Sequence, residues 1–149
     1  MIGLGRERER FEEFLGAWAE LAEAAALPGT VVVVEGEKDR RALSRLGLEA
    51  TITLVHRGQR LPVIAHALAQ RADRAVVLTD WDRKGGQLAE RLAGLLGGAD
   101  VKVDLETRQR LGRLLRGELV HVEGLYRWAL HLAESVGVVL PSALEEIAG

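Results

Sequence analysis

Cysteine is absent from this 149-residue chain, which excludes a disulfide framework, a thiol nucleophile and a thiolate metal site. Long hydrophobic runs are missing too. None approaches the roughly 20 residues a membrane span requires, and the opening MIGLGRERER has no apolar signal-peptide core. An excess of one charge is likewise missing, since 20 Lys+Arg stand against 22 Asp+Glu for a formal -2. That balance argues against a protein coated in basic surface but leaves room for a local basic patch. No linker, low-complexity stretch or internal repeat divides the chain. What remains is a small, soluble, cytoplasmic domain with no membrane partner. Its hydrophobic fraction of 48% is ordinary for a globular chain.

The apolar residues mark out the elements. Phe11, Phe14, Leu15, Trp18, Leu21, Ala22 and Ala25 follow the helical period, and Pro28-Gly29 ends the run. The alternating charges from Arg6 to Arg10 read as a solvated helix start or a frayed end. Thr30 to Val34 is a β-branched run suited to a strand covered on both faces. Ala42, Leu43 and Leu46 predict a helix stopping at Gly47, and Thr51 to Val55 a second strand. Leu61, Ile64, Ala65 and Leu68 predict a helix with Pro62 in its first turn, and Ala75 to Thr79 a third buried strand. A helix carrying Leu88, Leu92, Leu95 and Leu96 ends at Gly97-Gly98, before a short strand at Val101 to Val103. Leu105, Leu111, Leu114 and Leu115 mark one further helix, and Leu125, Trp128, Ala129 and Leu132 another. Val138 to Leu140 reads as a fifth short strand, and Ser142 with Glu145 as the capping box of a final turn. Strand and helix alternating at short intervals predict an α/β fold of parallel βαβ units. Ligands collect at the carboxyl ends of such strands.

Two of those ends carry acids. The first strand delivers Glu35-Gly36-Glu37-Lys38-Asp39, and the third Thr79-Asp80-Trp81-Asp82-Arg83-Lys84-Gly85-Gly86. An extended chain through Asp80 to Asp82 aims both carboxylates to one side and Trp81 to the other. If the two strands are neighbours, Glu35 faces that pair. Three converging carboxylates would raise one another's pKa values or hold a divalent cation, and hard oxygen donors suit Mg²⁺ or Mn²⁺. Acids at strand ends also serve as helix caps and solvated loop residues, and Asp39 would be well placed as a helix-start acid. Gly36 and Gly85 allow a tight turn or a close approach to phosphate. No G-x-x-x-x-G-K-[ST] is present and no G-x-G-x-x-G follows a strand, so neither P-loop nor dinucleotide chemistry is indicated.

Residues 38 to 84 hold 10 Lys+Arg against 5 Asp+Glu, which supports a phosphate-bearing partner. Lys38, Arg40, Arg41, Arg57, Arg60, Arg83 and Lys84 lie in or beside loops at the acidic end. Lys38, Arg57, Arg83 and Lys84 are the candidate phosphate contacts. Arg108, Arg110, Arg113 and Arg116 form a second basic run, a candidate nucleic-acid surface. His56, just after the second strand, reads as a polar loop residue, with a place at the site as the alternative, and His66, His121 and His131 show no ligand spacing with one another. Trp18 and Trp128 read as core residues.

The segments VVVVEGEKDRRAL and VVLTDWDRKGGQLAERL resemble the Toprim domain. That domain is shared by DNA topoisomerases, bacterial-type primases, overcoming-lysogenization-type nucleases and the small ribonuclease that matures 5S ribosomal RNA. The chain especially resembles small stand-alone Toprim proteins of archaea and some bacteria, near the maturation-nuclease branch. The likeness runs from about Thr30 to Val103 and, more loosely, through Val122-Glu123-Gly124-Leu125. It implies a Rossmann-like parallel sheet of about four strands, with a core over residues 30–104. Residues 1–29 are then an N-terminal helical extension, and 105–149 a helical C-terminal extension of the same domain. By the family pattern Glu35 and Gly36 match the conserved glutamate and its glycine, Asp80 and Asp82 the D-x-D, and Gly85 the glycine after it. Asp39 matches the acid that follows the glutamate in primase-like and nuclease-like members.

The resemblance implies that the aspartates bind Mg²⁺, with Mn²⁺ as a substitute, and that Glu35 is either a further metal ligand or the proton-transfer group. A second metal would draw on Asp39 or Glu37. The expected function is metal-dependent phosphodiester chemistry, above all nuclease-type cleavage of structured RNA or DNA, carried by Glu35, Asp39, Asp80 and Asp82. The alternatives are a nucleic-acid-binding or ribonucleoprotein module with little turnover, and a scaffold whose acids merely cap loops. Topoisomerase activity is disfavoured because Tyr126 is the single tyrosine and no separate cleavage domain accompanies it. Primase activity is disfavoured because zinc-binding and polymerase portions are absent.

Overall fold

Every residue of Thr30–Val34 (β1) is buried, and successive side chains enter opposite layers of the molecule. Val32 and Val34 join Val76 and Leu78 in one core, while Val31 and Val33 join Ala75 and Val77 in the other. The computed structural model describes residues 2–56 and 58–148. In chain order the remaining elements are α1 (Ile2–Ala25), α2 (Glu37–Arg45), β2 (Ile52–Leu54), α3 (Leu61–Ala69), β3 (Arg74–Val77), α4 (Arg83–Gly98), β4 (Lys102–Asp104), α5 (Glu106–Leu115), a 3₁₀ turn (Val122–Gly124), α6 (Leu125–Ser135) and α7 (Leu140–Ala148). The four strands form one parallel sheet in the order β2-β1-β3-β4. Helices α3 and α4 supply Ile64, Leu68, Ala89, Leu92 and Leu96 to one face. The opposite face is covered by α1, α2, α5, α6 and α7, whose largest buried members are Phe14, Trp18 and Leu21 of α1. Burying each such side chain stabilises the fold by about 1.5–3 kcal/mol. The expected α/β architecture of about four parallel strands is thus observed.

Two expectations need correction. Val138–Leu140 is not a strand: Gly137 at φ 74 turns the chain out of α6, and Leu140 opens α7 and buries against the core. Three apolar residues in a row carry no period that separates a strand from a helix start. The final helix therefore begins at Leu140, with Pro141 in its first turn, ahead of Ser142. Nor is the charged start of α1 wholly solvated. Arg10 is only 4% exposed, its Nε donates to the Leu114 carbonyl at 2.7 Å, and its guanidinium pairs with Glu118 and lies over the Trp128 ring. The aliphatic stem and planar head of arginine can be buried when every donor finds a partner, and α5 and α6 provide those partners.

Candidate functional site

Because β1 and β3 are adjacent, with Val33 level with Val77, their carboxyl ends place Glu35 beside Asp80. The Asp80 N–H donates to Glu35 Oε2 at 2.7 Å, and His56, arriving from the end of β2, lies with its Nε2 3.1 Å from Glu35 Oε1. Asp80 Oδ1 accepts the Val122 N–H at 2.8 Å, a contact between residues 42 apart. Its Oδ2 lies 3.2 Å from Nδ1 of His121, which also stands 3.8 Å from Asp82 Oδ2. Asp82 is the N-cap of α4, its Oδ1 accepting the Gly85 N–H at 2.7 Å. Backbone donors therefore hold one oxygen of each aspartate. The outer oxygens face one imidazole.

Asp39 lies below this surface, 7% exposed, and accepts the Gly36 N–H at 2.9 Å. Burial pushes its carboxyl above the ordinary range; the Gly36 hydrogen bond opposes this, and the charges of Asp80, Glu35 and Glu123 add to it. His121 is held above its ordinary pKa chiefly by its hydrogen bond to Asp80, with the charges of Asp80, Asp82 and Glu123 acting the same way. Beneath the loop, the Arg108 side chain donates through Nε to the Thr79 carbonyl at 3.0 Å and through Nη2 to that of Asp80 at 2.5 Å. Burial lowers the Arg108 pKa, while the charges of Glu35, Asp80 and Asp82 oppose the change. One fixed cation therefore underlies the acids.

Glu35, Asp80 and Asp82 are brought together, with Asp39 beneath them. Lys38, Arg83 and Lys84 are exposed at the starts of α2 and α4. Arg57 lies outside the described residues. A Cβ added at Gly36 would meet nothing within 4 Å, so its surface is open. Gly85 faces inward: a Cβ there would stand 1.9 Å from the Asp80 carbonyl oxygen, and its own carbonyl accepts the Thr79 hydroxyl at 2.7 Å. Glu37 engages Arg40 and Arg41 on the outer face of α2. Trp81 packs on α5 against Gly112 and donates its indole N–H to the Arg108 carbonyl at 2.7 Å.

His121 and Arg108 are members of the site that the sequence did not single out, His121 showing no ligand spacing with the other histidines and Arg108 reading as part of a basic surface; His56, a loop residue after the second strand, does reach the site. The basic run on α5 does not form one surface, because Arg108 points under the site and Arg110 pairs with Glu20 at 2.6 Å. His121 does immediately precede the Val122-Glu123-Gly124-Leu125 segment, and that adjacency was a usable signal. Nothing local distinguishes Arg108 from its neighbours.

Asp80, Asp82 and His121 each offer one ligand atom, and the three atoms lie within 4.8 Å of one another. Two carboxylate oxygens and an imidazole nitrogen fit a divalent cation of the Mg²⁺ or Mn²⁺ kind, with the nitrogen better suited to Mn²⁺. A strand-end acid pair of this sort, where the parallel strands β1 and β3 adjoin, is the arrangement that the Toprim resemblance implies. The Toprim domain profile matches residues 30–107, and the chain belongs to that family. It belongs within it to the UPF0292 proteins. It is 36% identical over 129 residues to a UPF0292 protein of Methanosarcina barkeri, covering 87% of each chain. With one of Methanosarcina acetivorans the identity is 34% over 138 residues, covering 92% of each. With one of Pyrococcus horikoshii it is 39% over 103 residues, or 68% of this chain and 76% of the other. A solved protein from Aquifex aeolicus superposes with a TM-score of 0.59 at 25% identity, over 71% of this chain and 93% of that one. No helix among the described residues is long and apolar enough to cross a membrane.

Proposed function

We propose that this protein cleaves phosphodiester bonds of nucleic acid with a divalent cation, Mg²⁺ or Mn²⁺. The observation that carries the reading is the convergence of Glu35, Asp80, Asp82 and His121 at adjoining strand ends, with the aspartates already oriented by the Val122 and Gly85 N–H groups. Asp80, Asp82 and His121 would hold the cation, which when bound supplies charge neutralisation to the nonbridging phosphate oxygens. Glu35 is not among those three and is hydrogen-bonded to the exposed imidazole of His56, an arrangement suited to moving a proton. In hydrolysis Glu35 accepts the proton of the attacking water, His56 relays it to solvent, and the departing oxygen is protonated from solvent.

The cations around the acids favour the same reading. Arg83 and Lys84 form the exposed first turn of α4, directly after the Asp82 carboxylate that caps the helix. They stand where they could contact the phosphates of an anionic backbone laid across the site. The test uses end-labelled RNA and DNA, single-stranded and hairpin, with Mg²⁺ or Mn²⁺. Cleavage by the wild type is expected to fall by about a hundredfold or more in Asp80→Ala and in Asp82→Ala. Undiminished cleavage by either variant would overturn the proposal.

A further inference from the structure

Beside the acidic site lies a groove of about 600 Å³ that the chemistry above does not use. Its walls are α2 and α6, and the 3₁₀ turn closes one end. Lys38, Arg41, Arg45 and Arg127 line it, against Glu118 and Glu123. Glu118 is already held by Arg10 at 2.7 Å and by the Trp128 N–H at 3.0 Å, so its charge is balanced within the protein. Arg41 is likewise 3.7 Å from Glu37, but Lys38, Arg45 and Arg127 still face only Glu123 among the lining acids, so the lining is basic towards a ligand. It is also aromatic: the Arg45 guanidinium of α2 lies 4.1 Å from the centroid of the Tyr126 ring of α6, a stacked pair that joins the two walls.

The groove is continuous with the site. Residues 121 to 124 serve both, since His121 and the Val122 N–H contact Asp80 while Glu123 and Gly124 line the groove. Lys38 lines it from the other side, next in the chain to the buried Asp39.

From this arrangement we infer that the groove holds a single-stranded stretch of nucleic acid leading into the cleavage site. Cations spaced along a channel follow a phosphate backbone, while aromatic rings and guanidinium planes accept unpaired bases. A duplex stacks its bases internally and offers its phosphates outward, so it has no use for the Arg45–Tyr126 pair or the apolar surface of the half-buried Leu119. The inference names the substrate class for the function proposed above and rests on that reading. Much of the groove, including Tyr126 and Arg127, lies outside the matched residues 30–107.

The test is fluorescence anisotropy in EDTA, which separates binding from cleavage. The probes are a labelled oligouridylate of roughly ten nucleotides, within the span that such a basic groove takes, and a duplex of equal length. The wild type is expected to prefer the single strand. The triple variant Lys38→Glu, Arg41→Glu, Arg127→Glu is expected to bind at least about tenfold more weakly, with the slope of log affinity against log salt reduced by about 2. Equal or tighter binding of the duplex overturns the inference, as does wild-type affinity in the triple variant. Should the triple variant misfold, photocrosslinking a thiouridine-containing oligonucleotide to the wild type decides the matter. Adducts on residues 38–45 or 126–128 support the groove, and adducts confined elsewhere overturn it. A wild type that binds through the groove without cleaving keeps this inference and removes the nuclease reading. Loss of cleavage in Asp80→Ala, beside a triple variant that binds normally, does the reverse.

Discussion

Replacing Gly85 with alanine should disable the site from inside the protein, without touching a carboxylate. The added methyl would stand 1.9 Å from the Asp80 carbonyl oxygen, 2.6 Å from its carbon and 3.0 Å from its Cα, all backbone atoms that no side-chain rotation can clear. Reaching even a 3.0 Å separation requires the α4 start and the Asp80 peptide to part by about 1.1 Å. Asp80 donates its N–H to Glu35, accepts from Arg108 at its carbonyl and carries the carboxylate, while the Gly85 N–H caps onto Asp82. Overpacking of this kind costs about 1–3 kcal/mol, and a displacement near 1 Å costs about a hundredfold in rate where geometry controls catalysis. The control is Gly94→Ala in the same helix, where a Cβ would meet nothing within 4 Å. It is expected to gain up to about 1 kcal/mol from helix propensity. Thermal unfolding should separate the two in opposite directions, by about 2–4 °C per kcal/mol, and calorimetric titration with Mn²⁺ should show weakened binding only in Gly85→Ala. Wild-type stability together with wild-type Mn²⁺ affinity in Gly85→Ala would refute the reasoning.

Gly112→Ala places a methyl 2.8 Å from Trp81 Cδ1 and 3.1 Å from its Nε1. The indole should shift and loosen its bond to the Arg108 carbonyl, read as a change in tryptophan emission; an unchanged spectrum counts against that packing. Arg108→Met leaves the Thr79 and Asp80 carbonyls without their charged donor and is expected to lower stability by about 2 kcal/mol in urea denaturation. Arg108→Lys, with no fork to span both carbonyls, should recover only part of that loss. For Asp39 the folded-state pKa is raised above 3.8, so the folded form binds the proton more tightly than the unfolded one. Stability from that proton is present below 3.8 and is lost as pH rises through the folded value. Asp39→Asn keeps an oxygen for the Gly36 N–H and should therefore melt higher than wild type at neutral pH in EDTA. The advantage should shrink towards zero as pH falls to 3.8; one that persists there contradicts the sign derived from burial.

Local chemistry made most of the architecture legible. A β-branched run such as Thr30–Val34 has few options other than a strand covered on both faces, and β1 and β3 do divide their side chains between two cores. The acids of both motifs are also local facts, because each follows directly where an apolar strand stops. Where the pattern was short or depended on remote partners, the reading failed. Val138–Leu140 is too brief to show a period, and Arg10 looks solvated until Leu114 and Glu118 are brought to it.

The chain's own pattern thus determined the parallel sheet, the strand-end positions of Glu35, Asp80 and Asp82, and the family. The tertiary structure alone decided what surrounds those acids. Arg116 at φ 51 and Gly117 at φ 74 turn the chain back after α5. Val120 then accepts the Trp81 N–H at 2.7 Å, and His121 and Val122 reach Asp80. Strand and helix periods arise among neighbouring residues and are written in composition and spacing. A contact between residues 42 apart arises only after the helices have packed and the loop has closed, and no spacing in the sequence encodes it.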